Sequence, residues 1–443
     1  MTERRHSRRR WLTSCAGATA ALVGLSGCTG DSDDDGETSP DGGDETDDGG
    51  EDEETGGSDE ETSDEEEETG ADAWWPMENY DAANSRVTDD RSPDAVSEQW
   101  HLEFDSQPSN PIVGHGNVYI QDAELTQYAF DLESGEVEWR REHELEYGHI
   151  NDLVAAPVLT EDTVYFLANE LEALDPHTGD VQWSVEVDAH NPDYGRIKRT
   201  DDGLFVTVGD NLYGIDPEAQ EIVWEKKMPK HRDMVVTDDG IVVVTRVGGP
   251  IERRFEIHGV EAETGEERWS YKPDDHSDEG RGLTLYDGTV YTHYGRTDLL
   301  AIDPDSGAVD VAAEYPWRHR SVAPIIIDGV AYTVGVGGMI ALDLQTGEQP
   351  EGWDPDDGGS ERSGFRPVAM ADTIQAGEHY RGDPWFDLDR ETGERRWEFD
   401  VAEPYDTDTA QGVTMDGCAA TSDYIVLMYH SGSFEGITVI SPE

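Results

Sequence analysis

The chain has 443 residues, with 31 Lys plus Arg against 101 Asp plus Glu, a formal net charge of −70 and a mean hydropathy of −0.70. Such a balance excludes a nucleic-acid partner, because backbone phosphates need a basic footprint. The three cysteines, Cys15, Cys28 and Cys418, leave no internal disulfide for a folded domain.

In chain order, the first element is an export signal. Ser7-Arg8-Arg9-Arg10-Trp11-Leu12 resembles the twin-arginine motif, and residues 15–27 form an apolar run too short for a good transmembrane helix. The run ends in Leu25-Ser26-Gly27-Cys28, which resembles a lipobox and places Cys28 at the mature N-terminus as a lipidation site. Residues 1–27 are therefore expected to be a lipoprotein signal peptide, and the mature chain to be anchored on the outer face of the cytoplasmic membrane. No other span is apolar enough to cross it. Residues 28–70 follow as a tether: between 31 and 70 there are 22 acidic residues and no Lys or Arg, a composition that cannot bury enough surface to fold. Asp31-Ser32-Asp33-Asp34-Asp35-Gly36 starts like a calcium loop, but Gly42 stands where the loop needs Glu. Past residue 70 only five cations are Lys, and this acidic, Lys-poor surface resembles proteins of salt-loving archaea, in which concentrated salt screens the repulsion.

Residues 71–443 are built on a repeat. Its clearest copy is Asp175-Pro176-His177-Thr178-Gly179-Asp180-Val181-Gln182-Trp183. Acidic and Trp positions recur as Asp131 and Trp139, Asp175 and Trp183, Asp216 and Trp224, Glu261 and Trp269, Asp303 and Val311, Asp343 and Trp353, and Asp389 and Trp397. Six copies keep one spacing; the Asp343 copy carries two extra residues. The Gly suits a left-handed turn position, and the Asp can bond turn amides. A strand precedes each turn, a Trp-bearing strand follows it, and two further strands are signalled upstream by runs such as Thr163-Val164-Tyr165-Phe166. Four strands per unit of about 42 residues is the pattern of propeller blades. Trp100 precedes the first full unit and the last unit is a strand short, so the strand around Trp100 is expected to complete the C-terminal blade. The expected fold is all-β: an eight-bladed propeller of four-stranded antiparallel blades, monomeric as a ring. Its periodic Trp100, Trp139, Trp183, Trp224, Trp269, Trp353 and Trp397 pack the seams between blades. Ser92-Pro93-Asp94-Ala95 is read as no more than a polar lead-in to the Trp100 strand.

The candidate site is not periodic. Arg196, Arg232, Arg281, Arg318 with Arg320, and Arg366 fall at the loops leading to the innermost strands of successive blades. In the plainer reading each pairs with a nearby Asp; in the sharper one they form an arc for an anionic or carboxylate-bearing ligand or partner segment. Cys418, in an apolar strand context, is a core residue. No catalytic residue or metal ligand can be nominated: the nucleophile elbow, zinc-helix, phosphate-loop and paired-cysteine spacings are all missing.

Trp74-Trp75-Pro76, the step Asp81-Ala82-Ala83-Asn84-Ser85, and blades of Val-Tyr, Ala-Leu-Asp, Thr-Gly and Trp resemble the pyrroloquinoline-quinone (PQQ)-like repeat propellers over roughly residues 74–443. That family includes quinoprotein alcohol dehydrogenases and the non-enzymatic propeller lipoprotein of the bacterial outer-membrane assembly machinery. In the former, the resemblance implies a quinone held between a Trp and a disulfide of adjacent cysteines, beside calcium and a catalytic Asp. This chain has no adjacent cysteines, and no cofactor is expected. The leading function is a non-catalytic binding or assembly scaffold for an envelope protein or extracellular ligand; the alternative is a PQQ- and calcium-dependent oxidoreductase.

Overall fold

A computed structural model describes residues 73–144, 154–188, 195–228, 231–247, 254–273, 282–316, 323–335, 338–353, 365–377, 384–401, 414–431 and 434–443. Cys28, the signal and the tether lie outside them. The described residues fold as eight antiparallel sheets in a ring, the expected eight-bladed β-propeller. Blades 1 to 7 follow one another at residues 112–141, 158–185, 196–227, 231–271, 284–314, 325–343 and 365–399. Blade 8 has the spatial order Val96–Phe104, Phe434–Pro442, Ile425–Ser431, Thr414–Ala420, so the Trp100 strand closes the ring as anticipated. Trp100 lies opposite Val439 and Leu102 opposite Ile437. In blades 1 to 7 the first strand is innermost, in blade 8 Thr414–Ala420 is, and neighbouring blades from 1 to 8 meet through these inner strands.

The turn chemistry has the anticipated form. Asp175 Oδ1 accepts from the amides of His177 and Thr178 at 2.9 and 3.0 Å, and the Gly179 amide donates to the Asp175 carbonyl at 2.9 Å. The turn glycine has a second reason that the spacing does not reveal. Indole N–H groups donate across the seams, Trp100 to Leu132 O, Trp139 to Pro176 O, Trp224 to Ala262 O and Trp269 to Pro304 O, at 2.7–2.9 Å. Each of these rings lies flat on the next blade's turn, where a Cβ on Gly135, Gly179, Gly265 or Gly307 would come within 2.5–2.8 Å of an indole carbon. A β-bulge aims the ring: in blades 1, 2, 3, 4 and 7 the register slips just after the residue opposite the Trp, namely Ala129, Ala173, Gly214, Gly259 and Asp387. In blade 5, with Val311 at the Trp position, the slip moves to Leu299/Leu300.

Two features differ in detail from the plain repeat. Blade 6 has three strands among the described residues, Ile325–Ile327, Val330–Gly335 and Gly338–Asp343. Ahead of the residues that follow Trp353, which are not described, the Trp353 amide donates to Pro350 O at 3.2 Å. The Trp353 ring is nevertheless buried, 5.3 Å from Tyr332. The second departure corrects the reading of residues 92–95. Trp397 Nε1 donates to Pro93 O at 2.9 Å and Ser92 Oγ to Asp387 Oδ1 at 2.9 Å, so this stretch is the dock for the last seam rather than a passive approach.

Gly179 and Gly347 share φ +71, but among the described residues Gly179 lies under an indole while nothing stands within 4 Å of a Cβ on Gly347. Gly347→Ala should then cost about 1 kcal/mol of left-handed strain. Gly179→Ala should add roughly 1–3 kcal/mol of overpacking. Denaturant midpoints of the two variants, at one salt concentration, check the difference; equal costs would show that the indole contact contributes nothing.

Candidate functional site

The axis of the ring holds the chain's own N-terminal segment. Trp75 pairs in bridge fashion with Val113 of blade 1 and Met77 with Val158 of blade 2, and Glu78 meets Arg196 of blade 3. The carbonyls of Ala82 and Ala83 accept from Val236 of blade 4 and Leu285 of blade 5, at 2.9 and 2.8 Å. Arg86 Nη2 donates to Ala323 O and Pro324 O, at the start of blade 6, and Arg86 O accepts from Ala369 of blade 7 at 2.8 Å. Residues 75–87 thus touch the innermost strand or its lead-in on seven blades in order before the chain leaves for blade 8. Asn79, Tyr80, Asn84 and Arg86 all have positive φ, from 53° to 75°. Residues of these types take that conformation at a cost, held here by the surrounding bonds.

Charges gather along this segment. Glu78 is buried with Oε2 3.0 Å from Arg196 Nε and Oε1 2.8 Å from Asn110 Nδ2. Lys198 is buried two residues along the same strand face, and its ammonium donates to the carbonyls of Glu78 and Asp81 at 2.8 and 2.9 Å. Asn84 Nδ2 reaches Asp233 Oδ1 at 3.2 Å and the carbonyls of Met234 and Leu283 at 3.1 Å; the Leu283 amide donates to Asp233 Oδ2 at 2.9 Å. Burial pulls the Lys198 ammonium down from its ordinary range and holds the Asp233 carboxyl up, the latter opposed by the Arg196 guanidinium. A small recess lined by Trp75, Glu78, Arg86, Asn110, Val368 and Cys418 adjoins the hub. The arrangement ties seven blades to one strap; its donors and acceptors are turned on each other.

The anticipated arginines are placed as follows. Arg196 opens the inner strand of blade 3 and is engaged by Glu78, 118 positions away, rather than by a nearby Asp. Arg232 lies half-buried on the inner strand of blade 4. Arg281, Arg318 and Arg320 lie outside the described residues, as does the Arg366 side chain. Among the seam residues, Trp100, Trp139, Trp224, Trp353 and Trp397 are buried and Trp183 and Trp269 half-buried. Sequence reasoning missed Glu78, Arg86, Lys198 and Asp233. One signal was present: Arg196 and Lys198 alternate on the face of a strand that should be apolar toward the axis.

At the last seam, Asp387 is fully buried opposite Trp397, where blades 3 and 4 have Gly214 and Gly259. Burial pushes its carboxyl up to about 6, against hydrogen bonds from Thr373 and Ser92 and the charge of Arg396.

The fold and the strapped axis define a PQQ-type repeat propeller. The chain matches the family described as outer membrane protein assembly factor BamB over residues 92–202 and 168–399, and it belongs to that family. Among solved structures, BamB from Moraxella catarrhalis shares 15% identity at a TM-score of 0.55, over 78% of this chain and all of that one. The quinohemoprotein alcohol dehydrogenase ADHIIG from Pseudomonas putida HK5 shares 13% at 0.61, over 83% and 80%. Likeness at this identity concerns the fold. A curated relative, the serine/threonine-protein kinase AfsK of Streptomyces coelicolor, is 29% identical over 176 residues, 38% of this chain and 19% of the kinase, so the match spans about a fifth of that protein.

Two outcomes are expected. Glu78→Ala leaves the Arg196 guanidinium buried without its carboxylate and should cost roughly 3–5 kcal/mol in denaturant unfolding, most of which a paired Glu78→Leu and Arg196→Met exchange recovers. For Asp387 the folded value is raised, so its contribution is complete below the unfolded value near 3.8 and is lost as pH rises through about 6. Relative to Asp387→Asn, the wild type should weaken by roughly 2–3 kcal/mol between pH 4 and pH 8. A flat difference across that range would place the carboxyl in contact with water.

Proposed function

We propose that this protein is an exported, lipid-anchored propeller that serves as a non-catalytic binding or assembly scaffold for a protein partner at the cell envelope. The observation that carries the reading is the strap of residues 75–87, which occupies the axis and satisfies its charges internally, leaving loops and perimeter as the surfaces on offer. Membership of a family described as an assembly factor supports it. Residues 1–27 would direct export, Cys28 would carry the lipid, and residues 28–70 would hold the ring away from the membrane as a self-repelling tether. Arg232, Arg281, Arg318, Arg320 and Arg366 are the cations we assign to the mouth of the ring as contacts for an anionic segment of that partner, with Arg196 bound to the strap.

The dehydrogenase neighbours keep a quinoprotein reading in view, and the residues can be weighed against it. Cys418 is the one cysteine among the described residues, with no adjacent cysteine in the sequence, and no group of three His, Cys, Asp or Glu is placed to hold a metal among the described residues. Lys198 is bonded to strap carbonyls, and Asn84 of the strap to Asp233. Among the described residues these groups form no donor set for a quinone beside calcium, and the PQQ- and calcium-dependent oxidoreductase stays as the alternative reading.

The test uses full-length protein purified with its membrane. Photo-crosslinking residues at positions 181, 223 and 232 should give a discrete protein adduct, and incubation with PQQ and calcium should give no dye-linked oxidation of alcohols or sugars. Turnover in that assay would overturn the scaffold reading.

A further inference from the structure

One seam is built for an indole and holds none among the described residues. Between blades 5 and 6 the turn at Asp343 has the geometry of its counterparts: Asp343 Oδ1 accepts from Gln345 and Thr346, and the Gly347 amide donates to Asp343 O at 2.8 Å. The Leu344 amide bonds Gly329 O at 2.8 Å, as the Leu132 amide bonds Gly116 O in blade 1. Leu344 therefore stands where Leu132, Pro176, Ala262 and Pro304 present their carbonyls to an indole N–H. Gly347 keeps the left-handed φ of +71 and has nothing within 4 Å of a Cβ among the described residues. On the blade 5 side the Trp position is Val311, 56% exposed. In other blades the aromatic residue of the second strand packs on its own blade's indole, Tyr119 on Trp139 at 6.1 Å, Tyr165 on Trp183 at 5.8 Å and Phe205 on Trp224 at 6.3 Å. Here Tyr291, with Tyr286 and Leu344, is only partly covered over a floor of Ile326, Ala331 and Leu342.

We propose that this seam is a docking site for a tryptophan side chain presented by an extended segment of a partner polypeptide. The ring would lie on Gly347 against Tyr291 and Val311, its N–H donating to Leu344 O. The occupant follows from four seams of this molecule in which the same cradle, glycine floor and turn carbonyl together, is filled by an indole with an N–H···O bond of 2.7–2.9 Å. Phe offers the ring without the donor, and an aliphatic residue offers neither. The inference rests on the scaffold reading and gives it a partner chemistry.

The probe is the peptide Gly-Glu-Val-Glu-Trp-Arg, copied from residues 135–140, titrated into full-length protein labelled with 15N at glycine and threonine. The amides of Gly347 and Thr346 should move saturably with the ring-current shift of a stacked indole, and the Trp→Ala peptide should bind at least about tenfold more weakly. Val311→Trp should supply the indole from within, raising the melting temperature, shifting the Gly347 amide in the free protein and abolishing the peptide response. Gly347→Ala, which crowds the floor, should abolish the response at Thr346 with the ring still folded. Equal response to the two peptides, response retained in Val311→Trp, or a Gly347 amide already ring-shifted in the wild type by one of the chain's own indoles would each overturn the dock. A silent titration with crosslinked adducts intact refutes the dock and leaves the scaffold standing; dye-linked turnover refutes the scaffold whatever the peptide does.

Discussion

An indole that reaches across a seam and bonds the next blade's turn is the contact from which the ring is assembled. A four-stranded blade of about 30 residues cannot bury both faces alone, so its stability is borrowed from neighbours. Truncating a buried Trp costs roughly 3–5 kcal/mol, and the N–H···O bond adds about 1 kcal/mol. Five such bonds are in place, from Trp100, Trp139, Trp224, Trp269 and Trp397. Two of them, from Trp397 to Pro93 and from Trp100 to Leu132, tie the outer strand of blade 8 and its lead-in to blades 7 and 1.

The same contact explains local choices that otherwise look unrelated. The turn glycine is needed for φ and again for clearance beneath the ring. In blades 1 to 4 the small residue opposite the Trp, Ala129, Ala173, Gly214 or Gly259, clears the other side. The bulge beside it rotates the Trp out of the strand's plain alternation. Where the Trp is lost, at Val311, the bulge moves and the neighbouring turn stands open. Asp387 is the exception among the small residues, and it trades clearance for a bond to Ser92 of the strap's own continuation.

Much of this was legible in the sequence because turns and strand pairs are local: an Asp, a Gly and a Trp at fixed offsets describe a hairpin without reference to the rest of the chain. The Trp100 strand could be placed because a sheet missing one strand at one end of the chain and carrying a spare at the other has one economical solution. The axial strap could not be read that way. Glu78 meets Arg196, Asn84 meets Asp233 and Arg86 meets Pro324, contacts spanning more than a hundred positions that no periodicity encodes. Residues 92–95 were misjudged for a related reason, since polar composition describes a surface segment equally well when its carbonyl is an indole's acceptor. In blade 6 three strands are described and the Trp353 ring is buried beside Tyr332, although two extra residues separate it from Asp343.

The strap makes the ring and the segment before it one cooperative body, and its amides report on this directly. Hydrogen exchange of residues 75–88 would test it, since the amides of Trp75 and Thr88 donate to Val113 O and Ala369 O at 2.8 and 3.0 Å. If the strap is integral, these amides exchange as slowly as the innermost strands and only with global unfolding. Exchange at the rate of a free tail, with the blades still protected, would show that the axis is not held by this segment.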